Sequence, residues 1–300
     1  MASKVYFTKE ITPESLIKMY EILWVELPWK VWVKVSTWER WSKWYLKADL
    51  IAPLVKKLHW TIIECNTAYP WARNDAEEHM KVAEEHGFTS FADVDIMDAE
   101  WEFKIPVKNW KRLKYDIIWE NFKNYDSILN LAHWKWHIMG WFWANLKNQS
   151  IWIASRNWIA SRNWKAYIHS CWQTEDTVEC WNVKFEKDDF IESMWEAATA
   201  VADYLKENNK PIVYIIVANA ISLECDCDAH QGDPVIADIW IFASLDPVAN
   251  DQAFIDAIWA THEEWTKAIE ERIDWREWRH ITGYAETLWL WSTVYELEEI

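Results

Sequence analysis

Two short stretches hold the residues best suited to chemistry. Between Leu223 and Asp256 the chain places two cysteines, one histidine and seven aspartates in 34 residues. Cys225 and Cys227 are two apart, so in an extended segment their thiols project the same way and can share a metal. Thiolates suit an iron–sulphur cluster, zinc or copper(I). The flanking Asp226 and Asp228 offer hard oxygens, which match magnesium or calcium better than a soft metal. The ordinary alternative is a pair of loop thiols, and no C-x-x-C-x-x-C ferredoxin run accompanies them. His230 is an outlying ligand. Cys171 and Cys180, nine apart in an acidic loop, read as free cysteines.

The second stretch is His133-x-Lys135-x-His137. Its histidines are spaced i,i+4 and would share one face of a helix, with Lys135 between them to neutralise an anion. Satisfied loop histidines are the plain alternative. Other residues have structural explanations. Asp246-Pro247 reads as an N-cap followed by proline at the first helical position. Asp251 and Asp256 then fall on a solvated helix face, and Asp238 reads as a turn residue. The run THEEW at 261–265 lacks the second histidine of a zinc protease motif. No phosphate-binding glycine loop with its lysine occurs, and no G-x-S-x-G, even with tryptophan read as glycine.

The elements that must position these residues alternate between strand and helix. Thr12 caps a helix from Pro13 to about Leu23. Val31–Val35 reads as a buried strand, Leu46–His59 as a helix, Thr61–Cys65 as a strand, Asp75–His86 as a helix and Ala92–Met97 as a strand. A β-hairpin over Glu102–Ile118 interrupts the alternation. Tyr125–Ala132 is expected to be a strand, Met139–Lys147 a helix and Ser150–Ala154 a strand. A long helix, Asp188–Asn208, leads to strand Pro211–Val217. Strand Ile236–Ala243 and helices from about Pro247, Thr261 and Arg276 complete the chain.

This order predicts an α/β fold, a mainly parallel sheet with helices on both faces. No linker divides the 300 residues, so one compact unit is expected, with lobes near 1–100 and 101–300. Ligands of open parallel sheets bind beyond the carboxyl ends of the strands. Ser36, Thr37 and Glu39, then Cys65, Asn66 and Thr67, then His133 to His137, and finally Cys225 to His230 all follow predicted strands.

The net charge of −17 argues against nucleic acid and against an anionic membrane surface. No 18-residue apolar run is present, and the opening MASKVYFTKE lacks a signal-peptide core, so a cytoplasmic protein is expected. Five cysteines fit a reducing compartment. One balance is unusual: 28 tryptophans stand against 4 glycines, where glycine averages about 7%. Trp24 and Trp60 follow predicted helices where a left-handed residue is expected. Trp110 follows Asn109 in the hairpin, where Asn-Gly is the usual signal. We read most of these tryptophans as occupying glycine positions. A bulky residue forced left-handed costs about 1–2 kcal/mol and overpacking about 1–3 kcal/mol. Roughly twenty such sites would outweigh a typical stability of about 5–15 kcal/mol. Trp152–Asn157 (WIASRN) is also repeated at once as Trp158–Asn163, a local loop duplication rather than a solenoid.

With tryptophan read as glycine, Asn130–Asn157 becomes NLAHxKGHIMGGFGANLKNQSIGIASRN. Together with ECDCDAHQGDPVIADI(G)IFASLDPVANDQA, this resembles domain-of-unknown-function family three-six-two over nearly the whole chain. The resemblance implies an α/β domain associated with iron–sulphur proteins and lends no established reaction. By motif it carries over His133, Lys135, His137, Lys147 and Asn148 from the first block. From the second it carries over Cys225, Asp226, Cys227, Asp228, Asp238, Asp246 and Asp251. The loop from Gly140 to Lys147 is also similar, more faintly, to that of the nickel-pincer lactate racemase family.

Three functions are therefore expected in order. The first is a metal- or iron–sulphur-binding redox enzyme or electron-transfer accessory, binding zinc, iron, nickel or a cluster through Cys225 and Cys227. Asp226, Asp228 and Cys65 would assist, and a ferredoxin-like partner would exchange electrons. The second is a metal-free enzyme in which His133, Lys135 and His137 do acid–base work on an anionic substrate; Lys147 and Asn148 are the expected cofactor-binding residues. The third is an acidic scaffold that recruits a basic partner.

Overall fold

Short β-branched runs separated by capped amphipathic helices build a layered structure. The computed structural model describes residues 2–28, 30–69, 71–99, 101–137, 141–157, 162–171, 187–222, 232–234, 237–261, 267, 278–288 and 291–300. Along the chain come β1 (Ser3–Thr8), α1 (Pro13–Glu21), β2 (Val31–Lys34), α2 (Ala48–Leu58), β3 (Thr61–Glu64), α3 (Ala76–Glu85) and β4 (Val94–Ile96). The middle holds β5 (Glu102–Pro106), β6 (Tyr115–Trp119), β7 (Ser127–His133), β8 (Lys135–His137), β9 (Trp141–Trp143) and α4 (Asn145–Gln149). Then follow β10 (Arg156–Asn157), β11 (Arg162–Asn163), α5 (Trp164–Ala166), α6 (Lys187–Glu207) and β12 (Ile212–Val217). Last are β13 (Ile241–Ser244), α7 (Pro247–Thr261), α8 (Trp278–Thr287) and β14 (Tyr295–Glu299).

Eight strands form one sheet in the order β14-β1-β13-β12-β7-β2-β3-β4. From β12 to β4 all neighbours are parallel, so five strands present their carboxyl ends at one edge. Strand β13 runs antiparallel to both β12 and β1. Residues from both halves of the chain therefore share a single sheet. The hairpin β5–β6 stands apart as its own antiparallel pair.

Alternation along the strands divides the interior between the two faces. Val31, Val33, Ile62, Leu129, Leu131, Val213 and Ile215 pack with Leu16, Met19, Ile51, Leu54, Val55 and Ala83, which lie on α1 to α3. Trp32, Ile63, Ile128 and Ile216 pack on the other face with residues of α6, α7 and the hairpin, including Val201, Phe254 and Ile117. Each such aliphatic side chain contributes about 1.5–3 kcal/mol on burial. Helices thus cover both faces.

The helix starts follow from their caps. Thr12 accepts from the Ser15 amide with Pro13 in the first turn, and Asp75 accepts from the Glu77 and Glu78 amides. Among the described residues no helix is long and apolar enough to cross a membrane.

Several local expectations are corrected. Among the described residues of the helix expected over 139–147, residues 141–143 form strand β9 and the helix starts at Asn145, running Asn145–Gln149. Ser150–Ile153 is a turn rather than a strand, because α4 is followed directly by chain reversal; Ala154 makes one isolated bridge to Ile118. The strand expected from Ile236 begins at Ile241. The left-handed residue after α2 is His59 (φ 52°), not Trp60, whereas Trp24 (φ 51°) is left-handed as expected, and Trp38 (φ 57°) joins it. Trp110 is not among the left-handed residues. The repeated WIASRN units meet as a small antiparallel ladder, with Arg156 opposite Asn163 and Asn157 opposite Arg162. The helix expected from Thr261 falls mostly outside the described residues.

Candidate functional site

The carboxyl edge of the parallel strands gathers an unusual density of buried polar side chains. Ser36, Thr37 and Glu39 after β2, Cys65, Asn66 and Thr67 after β3, and His133 and Lys135 at β7 and β8 are all buried. Lys34 ends β2 and Glu64 ends the adjacent β3, so their side chains meet at 2.6 Å. Glu64 also accepts from the Thr37 amide at 2.7 Å and from Arg73 at 3.3 Å. Arg73 donates through Nε to Glu39 at 3.0 Å and through a terminal nitrogen to the Tyr69 hydroxyl at 3.1 Å. His79, on α3, bridges the Thr37 hydroxyl at 2.9 Å and the Asn66 side chain at 3.1 Å.

Lys165 of α5 also enters this cluster. Its Nζ lies 2.8 Å from the Cys65 sulphur and also donates to the Asn66 carbonyl. The Cys65 thiol in turn donates to the Trp152 carbonyl at 2.7 Å. Asp98, after β4, accepts from the Asn66 amide. The Trp152 ring lies within reach of three cations: Lys165 at 4.9 Å, Arg73 at 5.0 Å and Lys34 at 5.4 Å from its centroid.

Burial and neighbours set the protonation states. Burial would raise Glu64, but Lys34 and Arg73 against it hold its carboxyl at about 2. Burial pushes the Cys65 thiol up to about 12, so as placed it is a neutral thiol, in keeping with its bond to a carbonyl. Burial likewise holds Asp98 well above the usual carboxylate range and His79 well below that of an imidazole. Asp116 of β6 is raised by burial to about 7 although it accepts from the Trp164 indole at 2.6 Å.

One strand over, His133 Nε2 lies 2.8 Å from the Asn219 carbonyl, and Lys135 donates to the Ala220 carbonyl at 2.6 Å. A carbonyl only accepts, so Nε2 carries the proton and Nδ1 the lone pair. Nδ1 is buried with no hydrogen-bond partner among the described residues. Burial lowers the imidazole well below its ordinary value, and Lys135 adds to that. The expected helical face shared by His133 and His137 is corrected: both lie on strands, β7 and β8, and the His137 side chain is outside the described residues.

Lys147 and Asn148 lie on α4, buried below this edge. Asn148 donates to Asn130 at 3.2 Å, and Lys147, after burial itself, helps push the His169 imidazole down to about 3. Asp251 is corrected from a solvated position: it is fully buried and accepts from the Asn145 and Leu146 amides at 3.1 and 3.3 Å, capping α4. Asp246 does cap α7, through Val248 and Ala249. Asp238 accepts from the Ala220 amide and so tethers the turn beyond β12. Cys225, Asp226, Cys227, Asp228 and His230 lie outside the described residues, which stop at Ser222. No group of three or more His, Cys, Asp or Glu able to hold a metal occurs among the described residues. An open groove of about 710 Å3 lies elsewhere, lined by Lys18, Tyr20, Trp24 and Ile300 among others.

Lys34, Glu64, Arg73 and Lys165 were not singled out from the sequence. The usable signal was a lysine inside VWVKV and a glutamate ending TIIE, charges in otherwise apolar strands that burial obliges to pair. Arg73 and Lys165 lie in loop-rich sequence and gave no comparable sign.

Five parallel strands with a buried, charged carboxyl edge define the class: an α/β protein whose polar site lies where open sheets bind ligands. The chain belongs to the family described as Domain of unknown function (DUF362), which matches residues 31–256. No curated protein matches it. Among solved structures, a crystal structure of a Thermotoga maritima protein from a structural genomics consortium is similar at 13% identity with a TM-score of 0.42. The similarity covers 87% of this chain and 58% of that one, so the chain spans less than two thirds of that protein.

Proposed function

We propose that the protein is an enzyme that binds a small anionic molecule at the carboxyl edge of its sheet. His133 acts there as a general base through Nδ1, with Lys135 and His137 beside it. The observation that supports this most is the buried imidazole with its proton fixed on Nε2 and its other nitrogen unengaged among the described residues. A thermal-shift screen of small carboxylates and phosphates, followed by a crystal structure of the best binder, tests it. A ligand within hydrogen-bond reach of His133 is expected; a ligand seated only in a groove away from this edge refutes it.

A second reading keeps metal or iron–sulphur chemistry. It is favoured by the path of the chain, which leaves the same edge at Ser222 and reaches Cys225 three residues later. Cys225 and Cys227 would hold the metal with Asp226 and Asp228, and Cys65 could join only by giving up its proton. A ferredoxin-like protein would then be the electron partner. Anaerobic purification with metal analysis and a visible spectrum decides it: stoichiometric iron, zinc or nickel that disappears in Cys225→Ala supports the reading, and substoichiometric metal unaffected by that change removes it.

We also infer that most tryptophans of this chain stand at glycine positions. Left-handed backbone at Trp24 and Trp38 supports this, since left-handed geometry favours glycine.

A further inference from the structure

We propose that Lys165, with Arg73 and Lys34, walls a subsite for a single carboxylate or phosphate group, and that the indole of Trp152 fills that subsite. The inference deepens the reading of the carboxyl edge as an anion-binding face, and rests on it. Three cations approach the one ring at 4.9 to 5.4 Å. Among the described residues only two of them have carboxylate partners within ion-pair distance: Lys34 pairs with Glu64, and Arg73 with Glu39 and Glu64. Lys165 is 1% exposed, and its hydrogen-bond partners are a thiol and a carbonyl. Lys34, Arg73 and Lys165 against Glu39 and Glu64 leave one positive charge in a buried volume.

Asp98 faces Lys165 more than Arg156, but its burial disfavours the charged carboxylate and so opposes its supplying the missing counter-charge. An isolated buried charge is unfavourable unless something of opposite sign meets it. An anion lying where the flat indole now lies would contact all three cations. Two acceptors at the same edge, Glu39 Oε2 and Ser36 Oγ, are buried without hydrogen-bond partners among the described residues, and could bind a hydroxyl or amine carried by the same ligand. Trp152 also stands at one of the positions read as glycine, in the segment SIWIASRN, and a glycine there would leave the ring's volume open.

The test is calorimetric titration of Trp152→Gly with inorganic phosphate and, separately, with malonate, at constant ionic strength. Saturable binding at one site is expected, at least about tenfold tighter than in the parent chain. The tighter of the two anions identifies phosphate or carboxylate as the preferred group. Adding Lys165→Met should weaken binding by at least about tenfold, while adding Lys9→Met, at the exposed rim of the sheet, should leave it unchanged. A folded Trp152→Gly protein that binds neither anion, or whose binding ignores Lys165→Met, overturns the subsite. Lys9→Met weakening the binding as much as Lys165→Met would also overturn it, as attraction by overall charge alone. None of these outcomes bears on His133 as a base, which is judged from ligand contacts at Nδ1. Should Trp152→Gly not fold, Lys165→Met in the parent chain decides. Removal of an unbalanced buried charge raises the melting temperature, and a lowered melting temperature overturns the proposal.

Discussion

Individual side chains at the carboxyl edge are bound to one another so closely that removing one strands its neighbours. Glu64→Gln leaves Lys34 and Arg73 short of a counter-charge and should destabilise the protein by about 3–5 kcal/mol, measurable by urea denaturation at pH 7. Titration gives two effects of opposite sign. The Glu64 carboxyl falls from 4.5 to about 2 on folding, so its stabilisation is complete above pH 4.5 and is lost as pH falls toward 2. Asp116 rises from 3.8 to about 7, so it favours the folded state most below pH 3.8 and loses that advantage as pH rises through 7. Asp116→Asn should therefore stabilise the fold above pH 7, by as much as about 4 kcal/mol, with no gain near pH 3. Melting curves at pH 3, 5 and 8 would show this, and an equal effect at all three would refute it. The edge itself was legible from the sequence, because strand ends followed by polar residues mark it. The ion cluster was less so, because the pairing of Arg73 with Glu39 and the approach of Lys165 to Cys65 are created by the topology and not by spacing.

Elements repeat the pattern of local rules overridden by packing. Helix α4 has five residues and depends on a cap from another element, Asp251 of α7. Asp251→Ala removes that cap and leaves two buried amides unmatched, a loss of roughly 2 kcal/mol that denaturant titration can read. Asp256→Ala, on the half-exposed part of the same helix, should lose less. The turn after α1 gives the opposite case. Trp24 is 88% exposed and left-handed, so it gains little by packing while straining its backbone. Trp24→Gly should stabilise by about 1 kcal/mol, and a loss of stability would mean the indole matters to the groove it lines. Capped helices such as those from Thr12 and Asp75 were readable because cap and periodicity agree. Strands β1 and β14 were missed. YELEE is the outermost strand and mostly exposed, and SKVYFT beside it alternates buried with partly exposed positions, so the apolar signal is diluted. The turn at 150–153 was misread as a strand because its isoleucines serve the core without any ladder.

For the molecule as a whole, the glycine reading proposed above would apply at many positions at once. The protein isolated from the cells that make it should then have a mass below 36.1 kDa, short by whole tryptophan-to-glycine differences. Peptide sequencing by mass spectrometry would place them, and an intact mass equal to 36.1 kDa would end the inference. The charge of −17 is partly spent on the sheet's rim, where β14 carries Glu296, Glu298 and Glu299 and pairs with Lys4 and Lys9 across the outermost ladder. Such a charged edge discourages strand addition by another chain. The partners of β1 have one more consequence. It is bonded to β13 and β14 alone, segments at 241–244 and 295–299. On a ribosome, Ser3–Thr8 emerges well before residues 241–244 and 295–299 and has neither neighbour until they follow. During that interval the apolar Val5-Tyr6-Phe7 is an unpaired strand, and closing so long a loop is slow. This strand is thus in need of a chaperone until β13 and β14 have both been made.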